Sequence, residues 1–300
     1  MTVTGREAEQ REVPGGAASR PSSPRPSFGE ATHIPYASAT RHLWGDEASG
    51  EVPDWIYVSS DRIHHLVFGL APGARFQHSE DYRTVFAADE LLYVLEGSVA
   101  FANPETGEVY PTEAGDALFF RRDTWHHAFN VGDGAARVLE FFAPPPATGA
   151  SSQYARTKAY LDDWRYADDR WIGRLPAAAE EHRAVATMHV FRDDDVVWSL
   201  DGGAVVGTYV STEHLAAGRI VLPAGAATAA RRHDGDAAVH VIEGTVHVLL
   251  ERPTSRGQRW FEVAHDDGFY VPADATYELR NITGARAAAM IGIAPPSGTL

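Results

Sequence analysis

The chain has 300 residues, 44% of them hydrophobic, and 41 acidic against 26 basic side chains give it a formal charge of −15. That length suits about two domains of ~150 residues, and such an acidic surface repels phosphate backbones and anionic bilayers, so the expected partner is a small molecule, with neither nucleic acid nor membrane. Cysteine is absent, which removes disulfides and thiolate metal sites and suits a reducing cytoplasm; no signal-like N-terminus and no spanning apolar run is present.

Residues 1–30 are rich in Pro, Gly, Ser and Arg (GGAASRPSSPRPSFG), offer almost nothing to bury, and read as a disordered leader. From Trp55 the texture changes to short apolar runs such as WIYVSS, IHHLVFGL, ELLYVLEG, ALFF and RVLEFFA, separated by Ala-Pro-Gly, Asn-Pro-Glu-Thr-Gly and Gly-Asp. Runs of this length between turn signals predict an all-β sandwich or barrel over 31–146. After Pro144-Pro145-Pro146 the pattern breaks. Residues 152–166 and 176–185 favour helix, with Tyr154, Tyr160 and Trp164 roughly on one face, so 147–195 reads as a partly helical linker. Strand texture returns at Val196 and persists to Ile293, defining a second barrel over 196–300.

The two strand-rich parts resemble each other. LAPGARF answers VLPAGAA, ELLYVLEGSVAF answers AAVHVIEGTVHV, and GDALFFRRDTWHHAFN answers DDGFYVPADATYELRN. Three blocks recur in the same order at a near-constant offset of roughly 150 residues, the signature of an internal duplication.

In the first copy Glu90 is followed six residues later by Gly97, and Gly115-Asp116 leads through an apolar strand to His126 and, beyond three residues, Asn130. These blocks resemble the two motifs of the cupin superfamily, G-x5-H-x-H-x3,4-E-x6-G and G-x5-P-x-G-x2-H-x3-N. The resemblance covers about 55–143 and again 196–294. It implies a bicupin: two tandem antiparallel jelly-roll β-barrels, the first holding one divalent metal, with Fe(II) favoured over Mn, Ni or Zn. Glu90 and His126 fall on ligand positions; Asn130 and the glycines fall on structural ones. The H-x-H pair is out of place, and an insertion in EDYRTVFAAD leaves His78 as the candidate third ligand, with Glu80 a possible fourth on the same face of a strand. A loop histidine ahead of Glu80-Asp81 is the alternative for His78. In the second copy Arg231, His233, Ala237 and Tyr277 stand at the ligand positions, so that barrel is expected to be structural.

Glu90 heads an alternating strand and should face the interior with Leu92 and Val94, where a carboxylate needs a metal, an arginine or water. One of His64 and His65 must also face inward. Arg83, Tyr93, Phe119, Trp125 and His127 are candidates for substrate contact, Arg83 with Arg121 and Arg122 as carboxylate binders or as a solvated rim. Three protein ligands leave positions open on a metal. The resemblance therefore implies a non-haem oxygenase acting on a small organic substrate, aromatic ones included. Isomerase, cyclase, lyase or decarboxylase chemistry is the alternative on the same site, and a non-catalytic binding module is the alternative outside enzymes. The same resemblance implies a homodimer.

Overall fold

The computed structural model describes residues 23–80, 84–144, 155–157, 161, 164–167, 186–298 and 300. Almost all of the described secondary structure is antiparallel β. One seven-stranded sheet runs, in spatial order, Met188–Phe191, Ala117–Phe120, Asp89–Glu96, Ala136–Ala143, His64–Leu70, Val52–Ser59 and Thr40–Trp44. The other runs Thr32–Ile34, Gly268–Val271, Asp236–Glu243, Ala287–Ala294, Ala216–Leu222, Ala204–Ser211 and Val197–Asp201. A smaller sheet closes each barrel: Arg75–Phe76, His127–Asn130, Ser98–Ala102 and Val109–Glu113 on the first, Trp260–Ala264, Thr245–Leu250 and Tyr277–Arg280 on the second.

Position by position the two large sheets correspond, which confirms the duplication. Matching turns support it: Gly97 and Gly244 both take positive φ, at +81° and +67°, where a Cβ would strike the backbone of the facing strand. Asn130 and Asn281 are likewise equivalent staples. The Asn130 side-chain amide donates to the carbonyls of Leu70, Ala71 and Gly134, and that of Asn281 to Leu222, Pro223 and Ala285.

The central strands of the large sheets are buried on both faces, which is why they read as near-continuous apolar runs. In Asp89–Glu96, Leu92 and Val94 point into the first barrel while Leu91 and Tyr93 join a separate core between the barrels. That second core also takes Tyr57, Val67, Phe119, Phe141, Tyr209 and Met290. The sheets approach closely enough that a Cβ on Gly292 would lie 2.8 Å from the Phe141 ring. His65 points into this seam, its Nε2 3.3 Å from His240 Nδ1, whereas His64 faces the first barrel's interior.

The edges of the barrels are exchanged, which alters the expected boundaries. Thr32–Ile34 lies in the stretch read as the first barrel but pairs with Gly268–Val271 of the second. Met188–Phe191 lies in the stretch read as linker but pairs with Ala117–Phe120 of the first. The linker is not helical where it is described: Ala155–Thr157 is a strand on Thr84–Phe86, and Arg165–Ala167 is a single 3-10 turn. Two aromatic residues of this stretch pack against the barrel end, Trp164 and Tyr166 lying 5.0 and 5.8 Å from the His127 ring. The predicted helix at 176–185 lies outside the described residues. So does most of the leader, but its last part is placed. Ser59 N–H donates to the Pro26 carbonyl at 2.6 Å, Phe28 packs on Tyr270, and Glu30 accepts from Ser255. Among the described residues no helix is long and apolar enough to cross a membrane.

Candidate metal centre

Strand register brings two carboxylates together. Glu90 sits opposite Phe142 and Glu140 opposite Leu92, so the two glutamates are diagonal neighbours on the inner face of adjacent antiparallel strands. His126 reaches the same point from the other side of the barrel, just ahead of His127–Asn130, its ring held between Phe76 and Phe120 at 5.5 and 4.6 Å. One ligand atom from each of Glu90, His126 and Glu140 lies within 4.8 Å of the others, and all three residues are buried. His126 Nε2 is 3.9 Å from Glu90 Oε2, and that oxygen has no hydrogen-bond partner. No other group of this kind occurs among the described residues.

The electrostatics suit a cation. Burial raises the Glu90 carboxyl well above its ordinary range, and the Glu140 and Asp89 charges add to this. Burial, then Asp54, pushes Glu140 up to about 8 even though a hydrogen bond from Glu90 opposes the change. Desolvation lowers His126 to about 4, so its imidazole is neutral and able to ligate. Two acids that resist ionising, an orphaned oxygen and a neutral imidazole form a donor set that a divalent ion would complete, because its charge reverses the local preference for protons.

Beside this cluster lies a cavity of about 120 Å³. Its walls are mostly apolar, with Leu66, Phe68, Phe76, Phe86 and Phe142 among them, while Asp54, His64, His78, His126 and Glu140 add polar groups. Ser23, Pro24 and Arg25 roof it; the Arg25 guanidinium donates to the Ser60 carbonyl at 2.9 Å and to Asp61 at 3.2 Å.

The structure thus brings Glu90 and His126 together as expected and adds Glu140, which sequence reasoning missed. His78 lines the cavity but stands outside the cluster: its Nδ1 is 3.0 Å from His127 Nε2, and its ring packs edge-on against Trp125 at 4.0 Å. Glu80 is exposed and also outside the cluster. Of the residues expected to contact substrate, Tyr93 and Phe119 belong to the core between the barrels, on the face of their strands opposite the site. Trp125 is buried behind His78, and His127 is buried between His78 and the Tyr166 hydroxyl, 2.7 Å from its Nδ1. Arg83 lies outside the described residues. Arg121 pairs with buried Asp89 and with exposed Glu213. The second barrel lacks the site: Ala237, Tyr277 and Ile291 stand where the first has Glu90, His126 and Glu140, and all are buried. Arg231, paired with Asp201 at 2.5 Å, and Tyr277, 3.1 Å from His233, fill its interior.

Fold and site together define a two-barrel β protein with one candidate metal centre. Residues 67–142, within the first barrel, match the cupin domain family, and the second barrel repeats the same strand order. Many solved structures share the fold, among them the following three. The putative glyoxylate-induced protein from Pseudomonas aeruginosa aligns at 14% identity over 95% of this chain and 96% of its own, with TM-score 0.61. The oxalate decarboxylase of Lactobacillus farciminis, in a formate complex, aligns at 13% over 91% and 88%, TM-score 0.60. The salicylate 1,2-dioxygenase of Pseudaminobacter salicylatoxidans aligns at 16% over 78% and 71%, TM-score 0.55. No curated protein sequence matches the chain.

Proposed function

We propose that the first barrel is the active site of a metal-dependent enzyme acting on a small organic molecule, with Glu90, His126 and Glu140 as the metal ligands. The observation that carries this is the buried pair of glutamates beside a neutral imidazole, at a place where the second barrel has only Ala237, Tyr277 and Ile291. Evolution of the same fold without these charges indicates that the fold does not need them, and burying them costs stability unless something compensates. A divalent ion bound there would polarise a substrate oxygen or activate dioxygen.

Two reactions fit. The oxygenase reading follows from the fold class, which includes a dioxygenase among similar structures. One imidazole with two carboxylates is a harder donor set than two imidazoles with one carboxylate, the arrangement associated with non-haem Fe(II) oxygenases. That observation favours the second reading, redox-neutral chemistry of the decarboxylase, lyase or isomerase type on Mn(II), Fe(II) or Zn(II). A cavity of about 120 Å³ limits the substrate in either case; a space of ~150 Å³ holds a benzene molecule. Elemental analysis of protein purified without added metal, followed by oxygen uptake and carbon dioxide release on a panel of small acids, enols and phenols, tests the proposal. About one ion per chain, lost in Glu90→Ala and Glu140→Ala with the fold intact, is the expected result. Full metal content in both variants would refute the ligand set.

A further inference from the structure

A third carboxylate faces the cavity and takes no part in the proposed ligand set. Asp54 lies on Val52–Ser59, opposite Phe68, and is 7% exposed. His42, on the edge strand Thr40–Trp44, sits directly across from it, and His42 Nδ1 lies 2.9 Å from Asp54 Oδ2. No other hydrogen bond to Asp54 is formed by the described residues, which leaves Oδ1 as an acceptor in the cavity wall. A carboxylate on the wall of a mostly apolar cavity is costly to desolvate, and the fold does not require one there. The second barrel makes that point within the same chain. Val206 occupies the equivalent position, opposite Ile220 as Asp54 is opposite Phe68, and it is fully buried.

We infer that Asp54 is the specificity-determining group of the cavity: it accepts a hydrogen bond from a hydroxyl or ammonium on the small ligand, and His42 is the positioning residue that fixes its carboxylate. The identity of the ligand's other end rests on the reading of Glu90, His126 and Glu140 as a metal site; the Asp54 contact itself does not. Asp54 and Glu140 both present oxygen acceptors to one small cavity, so a donor group between them is favoured. Apart from Glu140 in the cluster, Asp54 is the one carboxylate in the cavity lining, and His42 fixes its orientation. His42 retains 16% of its side-chain surface, so the clamp is reached from outside the cavity and can be altered without touching its lining.

The experiment uses full-length zinc-loaded protein and three probes read by ligand-observed NMR titration: methylammonium, ethylene glycol and acetate. Methylammonium tests an ammonium donor, ethylene glycol a hydroxyl donor, and acetate offers neither. At least one donor probe should bind the native protein and bind Asp54→Asn about tenfold or more weakly, as expected for loss of a charge-assisted hydrogen bond, with zinc content unchanged. His42→Ala should weaken the same probe, and His42→Asn, whose amide can replace Nδ1–H, should restore it. Probe binding indifferent to Asp54, or loss of zinc in Asp54→Asn, would overturn the inference. If the native protein takes up no zinc, the metal reading fails, and the same titrations on metal-free protein still decide the role of Asp54.

Discussion

The buried glutamate pair predicts an unusual pH dependence of the metal-free protein. Glu140 moves from an ordinary 4.5 to about 8 in the folded chain. Between those values the folded protein keeps a proton that the unfolded chain has released. Stability contributed by the protonated form is therefore complete below about pH 4.5 and is lost progressively as pH rises toward 8. At about 1.4 kcal/mol for each tenfold change, the loss is on the order of 4–5 kcal/mol for Glu140 alone. The double substitution Glu90→Ala, Glu140→Ile installs the residues that pack at the equivalent places in the second barrel, Ala237 and Ile291. Urea unfolding of chelator-treated protein from pH 5 to 8 provides the assay. Buried neutral histidines such as His64, His126 and His240 make both proteins gain stability as pH rises toward 6.5, so the difference between the profiles is what counts. Native protein should lose several kcal/mol relative to the double variant across that range, and the variant should be the more stable at pH 8. Parallel profiles for the two proteins would refute the assignment of the raised carboxyl to this pair.

Other predictions follow from the same geometry. His78→Ala should retain the metal, because His78 is bonded to His127 and stands outside the cluster; loss of metal on elemental analysis would restore it as a ligand. Removal of residues 1–26 should speed metal stripping by a chelator several-fold, since Ser23, Pro24 and Arg25 roof the cavity; an unchanged rate would show that exchange takes another route. Asn130→Ala leaves three carbonyls without their donor and should cost about 2–3 kcal/mol in chemical denaturation, with Asn281→Ala costing a similar amount.

Much of the fold was legible because its determinants are local. Short apolar runs and turn residues marked the strands, and repetition of three blocks marked two barrels. Glu90 and His126 were legible for a related reason: motif spacing fixes which strand carries each, and alternation fixes the inward face. Glu140 was not, because it lies beyond the motifs and meets Glu90 only when Ala136–Ala143 pairs with Asp89–Glu96. A signal existed in the duplication itself. Aligning the copies sets Glu140 against Ile291 and Asp54 against Val206, which marks both as charges that the barrel does not require. His78 stands beside His127 rather than with Glu90, His126 and Glu140, a contact that spacing does not encode. Exchange of edge strands was equally hidden, since Thr32–Ile34 and Met188–Phe191 carry nothing in their composition that selects one sheet over the other.

Anomalous diffraction at the absorption edges of Mn, Fe and Zn, on crystals of protein purified without added metal, tests the central claim most directly. A single peak among the carboxylates of Glu90 and Glu140 and the imidazole of His126, with none in the second barrel, is the predicted result. Crystals whose first barrel is fully ordered but shows no peak there, or shows one elsewhere, would contradict it.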